Sequence, residues 1–515
     1  MEALQTLTWS DTRYLAPELA LAVAAVLLAL LDLILPRRAS RDLIGWGALV
    51  GLLAAGVFVG WHIYDLQSAV DAGKEPIRNL LGGSYRVDDF GNLLKLVFLG
   101  ATALIVLASL GTVKKAEVPI KGEFYYLLLP AVIGAMVMAS SGDLITLFVG
   151  MELLSITSYV LVGVRKRSGA SGEAAFKYVV TGGTASAFIL YGMSFLYGVT
   201  GSTRLSDISG ALGDALADYR ALVYVAFFFM IVGFALKLAL APFHAWAPDV
   251  YQGAPTPATS FLAIVAKGAA FAMLYRIFIF LYRAFGSEGD QAAVREDLFL
   301  ALAVLAAAAM IVGVAGALKQ QNAKRLLALS GVANAGILLV PLTLEVNSLH
   351  SSMFSEFVYY LIAYVFMNAG AFAVLTAVSR SSGHEELSAF AGMYHRAPWT
   401  AAAMTALLCS LAGLPVTGGF FGKLFILFGA VQTKAYWLAA ILLATTVASY
   451  YVYFSFIRQM YMRSGESDQA VAVPVPTGIV IWLCAAASVA LGILPKPILD
   501  WIDGIFSLGA DFLAR

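Results

Sequence analysis

Apolar runs of about 20 residues recur along the whole chain, separated by short polar stretches. Hydropathy predicts about fourteen spans, near 14–35, 43–63, 90–112, 124–141, 143–164, 174–198, 220–241, 255–282, 298–317, 325–344, 353–378, 400–431, 436–462 and 475–494. At ~1.5 Å per residue each run can cross a hydrocarbon layer of ~30 Å. Lipid offers no partner to backbone N–H and C=O groups, so such runs are expected as helices, and no strand is predicted. The fold class read from this pattern is an all-α polytopic membrane protein. Asp11 and Glu18 stand where a signal peptide would be basic, and no small-residue cleavage site follows, so 14–35 is expected as a retained first span. The polar segment SRSSGHEELSAFAGMYHRAP, between the eleventh and twelfth spans, is expected at the surface.

Two runs break the apolar pattern. LALAPFHAWAP follows the seventh span and LAGLPVTGGFFGK lies inside the twelfth. Both place proline and small or polar residues where a continuous helix would otherwise run. Paired interruptions of this kind suggest discontinuous helices in two related halves. They lie five spans apart, an odd number, so the halves would be inverted in the membrane.

Composition agrees with this picture. The chain is 60% hydrophobic and 13% charged, with a formal net charge of +1, against roughly 25% charged in a soluble domain. Nothing in that balance suggests a nucleic acid as partner. Cys409 and Cys484 lie inside apolar runs and are too few for an iron–sulfur cluster. The loops after odd-numbered spans carry PRRASR, KKAEVPIK, RKR and KQQNAKR, and those after even-numbered spans are the more acidic. By the positive-inside rule the odd loops face the cytoplasm and both termini face outward.

The informative residues are charges deep in spans: Glu152 in the fifth, Lys237 in the seventh, Lys267 in the eighth and Lys423 in the twelfth. A mid-bilayer charge costs at least ~2.5–3.5 kcal/mol on insertion scales and needs a partner, a water cavity or a function. Snorkelling fits the short Glu152 and the central Lys267 poorly. A structural ion pair is the other plain reading, but one glutamate cannot neutralise three lysines. A desolvated lysine can gain and lose a proton near neutral pH as its partner moves, so a line of such groups reads as a proton relay. Lys177 is either an interfacial anchor or a proton-uptake group. His244 is either a hydrogen-bonded loop histidine or an uptake group. Lys324 and Arg325 are expected as topology-setting surface charges, and Lys95 and Arg276 as snorkelling side chains. GGFFGK is not a phosphate-binding loop: Thr417 stands where that motif needs glycine, and Leu424 where it needs Ser or Thr. No histidine pair has haem or metal spacing on one helix face.

PFHAWAPDVYQGAPTPATSFLAIVAKGAAFAML resembles the signature of the antiporter-like membrane subunits of respiratory complex I, the NADH–quinone oxidoreductase. KQQNAKRLLALSGVANAG resembles that family's ninth-to-tenth span connection, and LPVTGGFFGKLFIL its twelfth-span break. The resemblance covers nearly the whole chain and is greatest to the N-type members. Lys423 disfavours the M type, which carries glutamate there. A chain that stops shortly after the fourteenth span disfavours the L type, which carries a long lateral helix. Ser330-Gly331 and Asn334 depart from the family pattern, which often has Ser-Ser or a histidine there.

The resemblance implies fourteen helices with two inverted five-helix repeats and discontinuous seventh and twelfth helices. The corresponding units are 1–118, a three-helix segment; 119–285 and 298–464, the two antiporter-like units; and 465–515, a C-terminal helix and tail. It further implies a proton relay through Glu152, Lys237, Lys267 and Lys423, started by weakening of a Glu152–Lys237 pair. Uptake would pass Lys177 or His244. No cofactor is expected on this chain. NADH, FMN, iron–sulfur clusters and quinone would belong to partner subunits, among them further antiporter-like subunits and peripheral subunits of a complex in the cell membrane. Two other readings stay open: a subunit of a multi-subunit cation/proton antiporter, and a scaffold subunit whose buried charges carry nothing.

Overall fold

The computed structural model describes residues 9–36, 38–74, 76–112, 118, 121–285, 289–344, 352–465 and 470–505. Lys114, Lys115, Glu288 and the chain ends 1–8 and 506–515, which enter the expected topology, lie outside the described residues.

Among the described residues, thirteen helices are long and apolar enough to cross a membrane. The first three are α1 (Ala16–Ile34), α2 (Asp42–Asp71) and α3 (Asp89–Ser109). They are followed by α4 (Lys121–Ser140), α5 (Leu144–Val162), α6 (Gly169–Thr200) and α7 (Leu205–Leu238). After a break at 239–245 come the short α8 (Trp246–Gly253) and then α9 (Thr256–Phe261) and α10 (Lys267–Ala284), joined through a π-turn at Leu262–Ala266. Next are α11 (Gly289–Ala317), α12 (Ala323–Thr343) and α13 (Met353–Ser382). The expected twelfth span is two half-helices, α14 (Pro398–Ala412) and α15 (Gly418–Gln432), each too short to cross alone. The chain ends in α16 (Tyr436–Met462), α17 (Val475–Ile493) and α18 (Pro495–Ile505).

The helix ends explain themselves locally. Asp88, Asp143, Asn322 and Thr417 each accept a hydrogen bond from a first-turn N–H of the helix they precede, which satisfies donors that have no intrahelical partner. The middle of the bundle is Thr256–Phe278 and Ala323–Thr343, each 94% buried in its apolar window, against 22% for Arg13–Ile34. The two most enclosed spans therefore carry Lys267 and the Ser330–Asn334 stretch.

Several expectations are corrected here. Arg78–Leu80 and Tyr85–Val87 form a short antiparallel pair, β1 and β2, with Leu80 opposite Tyr85. Three residues are too few for a period-two pattern to register, and the pairing satisfies backbone groups between α2 and α3. Lys95 does not snorkel: it is fully buried and pairs with Glu18 at 2.9 Å. Arg276 is also fully buried, grips the carboxylate of Asp88 with both terminal nitrogens, and lies 4.6 Å over the ring of Phe90. Both cations sit among polar groups that only the folded bundle assembles, so a helix-by-helix reading could not find them. Lys324 is no surface charge. It is buried, donates to the Ala254 carbonyl at 2.8 Å and pairs with Glu385 at 2.6 Å. Glu385 belongs to the polar segment expected at the surface, whose Leu387, Phe390 and Met393 are themselves buried.

Candidate functional site

Each break places a lysine. In the first, α7 ends at Ala239, which adopts a left-handed conformation (φ 55°). The carbonyl of Leu236 accepts from the Trp246 indole at 2.9 Å, and that of Ala235 from the Leu240 N–H at 2.8 Å. Two of the carbonyls freed by the interruption, those of Ala235 and Leu236, are thus satisfied within the break. Lys237, in the last turn, leaves them alone and donates to the Ser155 hydroxyl on α5 at 2.8 Å. Glu152 lies one turn earlier on α5, half-buried, and accepts a very short hydrogen bond from Ser186 on α6. Among the described residues no ion pair within 4.0 Å joins Glu152 to Lys237. The two expected partners are each held by a serine.

The second break works differently. Gly413 closes α14 in a left-handed turn (φ 83°) that a side chain would strain, and a Cβ there would stand 3.0 Å from the Lys423 stem. The ammonium of Lys423, on α15, donates to the carbonyls of Leu411 at 2.8 Å and Ala412 at 3.2 Å. These are the last residues of α14, where unpaired carbonyls and the helix dipole favour a cation. The apolar stretch GLPVTGGFFGKLFIL therefore tolerates a lysine because its own preceding half-helix supplies the acceptors.

Lys267 sits between the two breaks, at the first turn of α10, directly after the π-turn. π-turns leave backbone groups displaced from regular pairing and recur at functional positions. Its Nζ donates to the Gly331 carbonyl on α12 at 2.7 Å. A Cβ at 331 would lie 2.9 Å from that nitrogen and 3.2 Å from the Tyr364 hydroxyl, so the departure from Ser-Ser makes room for the ammonium. Beside it, Ser330 shares a 2.6 Å hydrogen bond with Tyr453, and Asn334 accepts from Tyr360 at 2.6 Å.

Two cavities separate the lysines, each large enough for internal water. One is lined by Lys237, Ser155, Tyr178 and by Ala266 and Ala270, which flank Lys267. The other is lined by Lys423, Ser330, Asn334, Tyr453 and Ser449. Lys267 lines neither cavity itself; its neighbour Ala266 lines the first, and Ser330, next to its acceptor Gly331, lines the second.

The expected uptake residues sit elsewhere. Lys177 pairs with Glu173 at 2.7 Å and with Asp249 on α8 at 2.6 Å. Asp249 also holds Arg325 of α12 at 2.6 Å. Burial alone would raise the pKa of Asp249, but the hydrogen bonds from Lys177 and Arg325 hold it below the usual carboxylate value. His244 lies inside the first break, with a buried Nδ1 that has no hydrogen-bond partner among the described residues.

The NADH:quinone oxidoreductase/Mrp antiporter transmembrane family model matches residues 141–449, which contain both breaks and all four candidate relay charges. The chain belongs to this family. Its curated relatives include the NADH-quinone oxidoreductase subunit N of Paenibacillus sp. (strain JDR-2), 60% identical over 99% of each chain. The same subunit of Brevibacillus brevis is 47% identical over 98% of this chain and 96% of its own. Among solved structures, a chain of respiratory complex I from Thermus thermophilus aligns with TM-score 0.75 and 31% identity, covering 96% of this chain and 100% of its own. A chain of the archaeal membrane-bound sulfane sulfur reductase aligns with TM-score 0.84 and 25% identity over 97% of each. A chain of the Mrp complex from Dietzia sp. shares the fold at 18% identity, with TM-score 0.78 and coverage of 96% and 97%.

Sequence reasoning missed Ser155, Ser186, Tyr360 and Tyr453, the polar groups that receive or surround the charges. Ser155 had a signal, since it lies three residues after Glu152 on the same helical face. The tyrosines had none; only tertiary packing brings them beside Asn334 and Ser330. Asp249 was legible as part of PDVYQGAPTP but not as the link between Lys177 and Arg325.

Proposed function

We propose that this chain is the proton-translocating membrane subunit of an NADH–quinone oxidoreductase, and that Lys237, Lys267 and Lys423 carry the proton between its two halves. The observation that supports the reading is the position of Lys267: buried, bonded to a single backbone carbonyl, and placed between a cavity lined by Lys237 and one lined by Lys423, each lined also by a residue next to Lys267 or to its acceptor Gly331. Water in those cavities would complete the line, since polar cavities of this kind bind it. Electron transfer from NADH to quinone takes place in other subunits. A change at their interface alters the field at Glu152, and Ser186 and Ser155 set how firmly Glu152 and Lys237 are held. Lys237 then passes its proton towards Lys267, and Lys267 towards Lys423. Lys177 and His244 remain the candidate uptake groups, on the end of the bundle that carries Asp249 and Arg325.

The inverted relation of 119–285 and 298–464, the placement of both termini on the outer side and residence in the cell membrane belong to the same proposal. The antiporter reading has the fold in its favour; identity over the full length to subunit N relatives favours the oxidoreductase. The test is proton pumping per electron in membrane vesicles containing the assembled complex. Lys237→Ala is expected to keep electron transfer and lower the ratio. A full ratio in that variant would refute the relay and favour a scaffold. Na⁺ transport by the chain without redox partners would favour the antiporter.

A further inference from the structure

The three-helix segment ahead of the family's matched region holds a second set of buried ionisable groups. Glu18 on α1, His62 on α2 and Lys95 on α3 are all at least nine-tenths buried and lie at the end of the bundle that carries the β1–β2 pair. Lys95 donates to the Tyr85 hydroxyl at 2.6 Å, Tyr85 donates to Glu18 Oε1 at 2.7 Å, and the ammonium also pairs with that oxygen at 2.9 Å. Around this triad lie five buried polar atoms with no close hydrogen bond among the described residues: Glu18 Oε2, His62 Nδ1, both amide atoms of Asn92, and Ser140 Oγ, with Asn92 next to His62 and Ser140 next to Tyr85. Unsatisfied polar atoms are scarce in folded proteins, and a cluster of them is where internal water is expected.

The pocket also has a way out. The ring of Tyr14 lies 5.6 Å from that of His62. The Tyr14 hydroxyl donates to Asp65 at 2.9 Å and accepts from Arg13 and Arg78. Asp65 is about a quarter exposed. Tyr14 thus stands between partly exposed Asp65, to which its hydroxyl is bonded, and His62, against which its ring packs and whose Nε2 lies 3.2 Å from the Arg13 carbonyl; water bridging Tyr14 to His62 would complete a route outward. The charged and titratable groups facing the pocket are Arg13 and Tyr14 before α1, Glu18 of α1, Asp65 of α2, Arg78 of β1, Tyr85 of β2 and Lys95 of α3; Asp88, held by Arg276, lies just beyond Tyr85.

We propose that this pocket is a proton-exchange site separate from the four-residue line, with Glu18 and His62 as the groups that hold the proton. Exchange within it needs no other reactant. Tyr85 gives its O–H proton to Glu18 while its oxygen takes one N–H proton from Lys95; one O–H and one N–H bond break and two O–H bonds form. The phenol is restored, and the ion pair becomes a neutral acid and amine. The reverse step restores the ion pair. Release is a separate step, in which water carries the Glu18 proton from Oε2 to His62 and outward, leaving a carboxylate and a neutral Lys95 amine that is recharged by a proton entering along the same path and through Tyr85.

The test is infrared difference spectroscopy during a pH titration of the purified whole oxidoreductase in lipid nanodiscs. Glu18→Gln should remove one titrating carboxyl band, and His62→Gln one titrating imidazole band, with electron transfer retained. Where Glu18→Gln fails to assemble, His62→Gln carries the test, because it leaves the Lys95–Glu18 pair intact. Loss of either band supports the site. Variant spectra that superimpose on the natural protein's would overturn it. Asp65→Asn should slow proton release several-fold after a pH jump, and an unchanged rate would remove the Tyr14 route.

Discussion

The two helix breaks solve one problem in opposite ways. In the first, the Trp246 indole and the Leu240 N–H take the carbonyls of Leu236 and Ala235, and Lys237 reaches across to Ser155. In the second, the Lys423 ammonium itself takes the open carbonyls of Leu411 and Ala412. A lysine held by a neutral hydroxyl can change its contact at little cost. One that completes a helix end cannot leave without stranding two buried carbonyls. On the proposed relay, the first break responds and the second receives.

The difference predicts unequal losses. Lys423→Ala should lower proton pumping and also destabilise the bundle, by about 1–3 kcal/mol for the stranded acceptors. Lys237→Ala should lower pumping with a much smaller loss of stability. Thermal unfolding of the two variants in mild detergent checks this; equal losses would erase the distinction. Ser155→Ala removes the acceptor from Lys237 without touching any charge. It should reduce pumping in part and cost about 1 kcal/mol, the net worth of an ordinary hydrogen bond. An unchanged pumping ratio would show that the hydroxyl does not position the lysine.

The smallest effect concerns Asp249, which ties the first half to the second through Lys177 and Arg325. Its pKa is lowered in the fold. Its contribution is therefore complete above the unfolded carboxylate value, near ~4, and is lost as the pH falls through the lower folded value. The stability difference between the natural protein and Asp249→Asn should be constant from pH 7 to 5 and shrink in stronger acid. A difference that grows in acid would contradict the assignment.

Much of this was legible in the chain. Apolar runs set the spans, the two proline-containing interruptions set the breaks, and the costs of Glu152, Lys237, Lys267 and Lys423 in lipid marked them out. What was not legible depends on tertiary distance. Lys95, Arg276 and Lys324 read as edge charges because their partners Glu18, Asp88 and Glu385 are remote in sequence. The π-turn before Lys267 leaves no mark in hydropathy, and the β1–β2 pair is too short for periodicity to show. The Glu152–Lys237 ion pair was expected from the family resemblance. The structure interposes serines, which no count of charges predicts.

The account depends on Lys267 carrying a proton between two cavities. Proton pumping per electron in vesicles bearing Lys267→Ala measures this most directly. The expected result is normal assembly and electron transfer with a clearly reduced pumping ratio; a ratio equal to that of the natural protein would contradict the account.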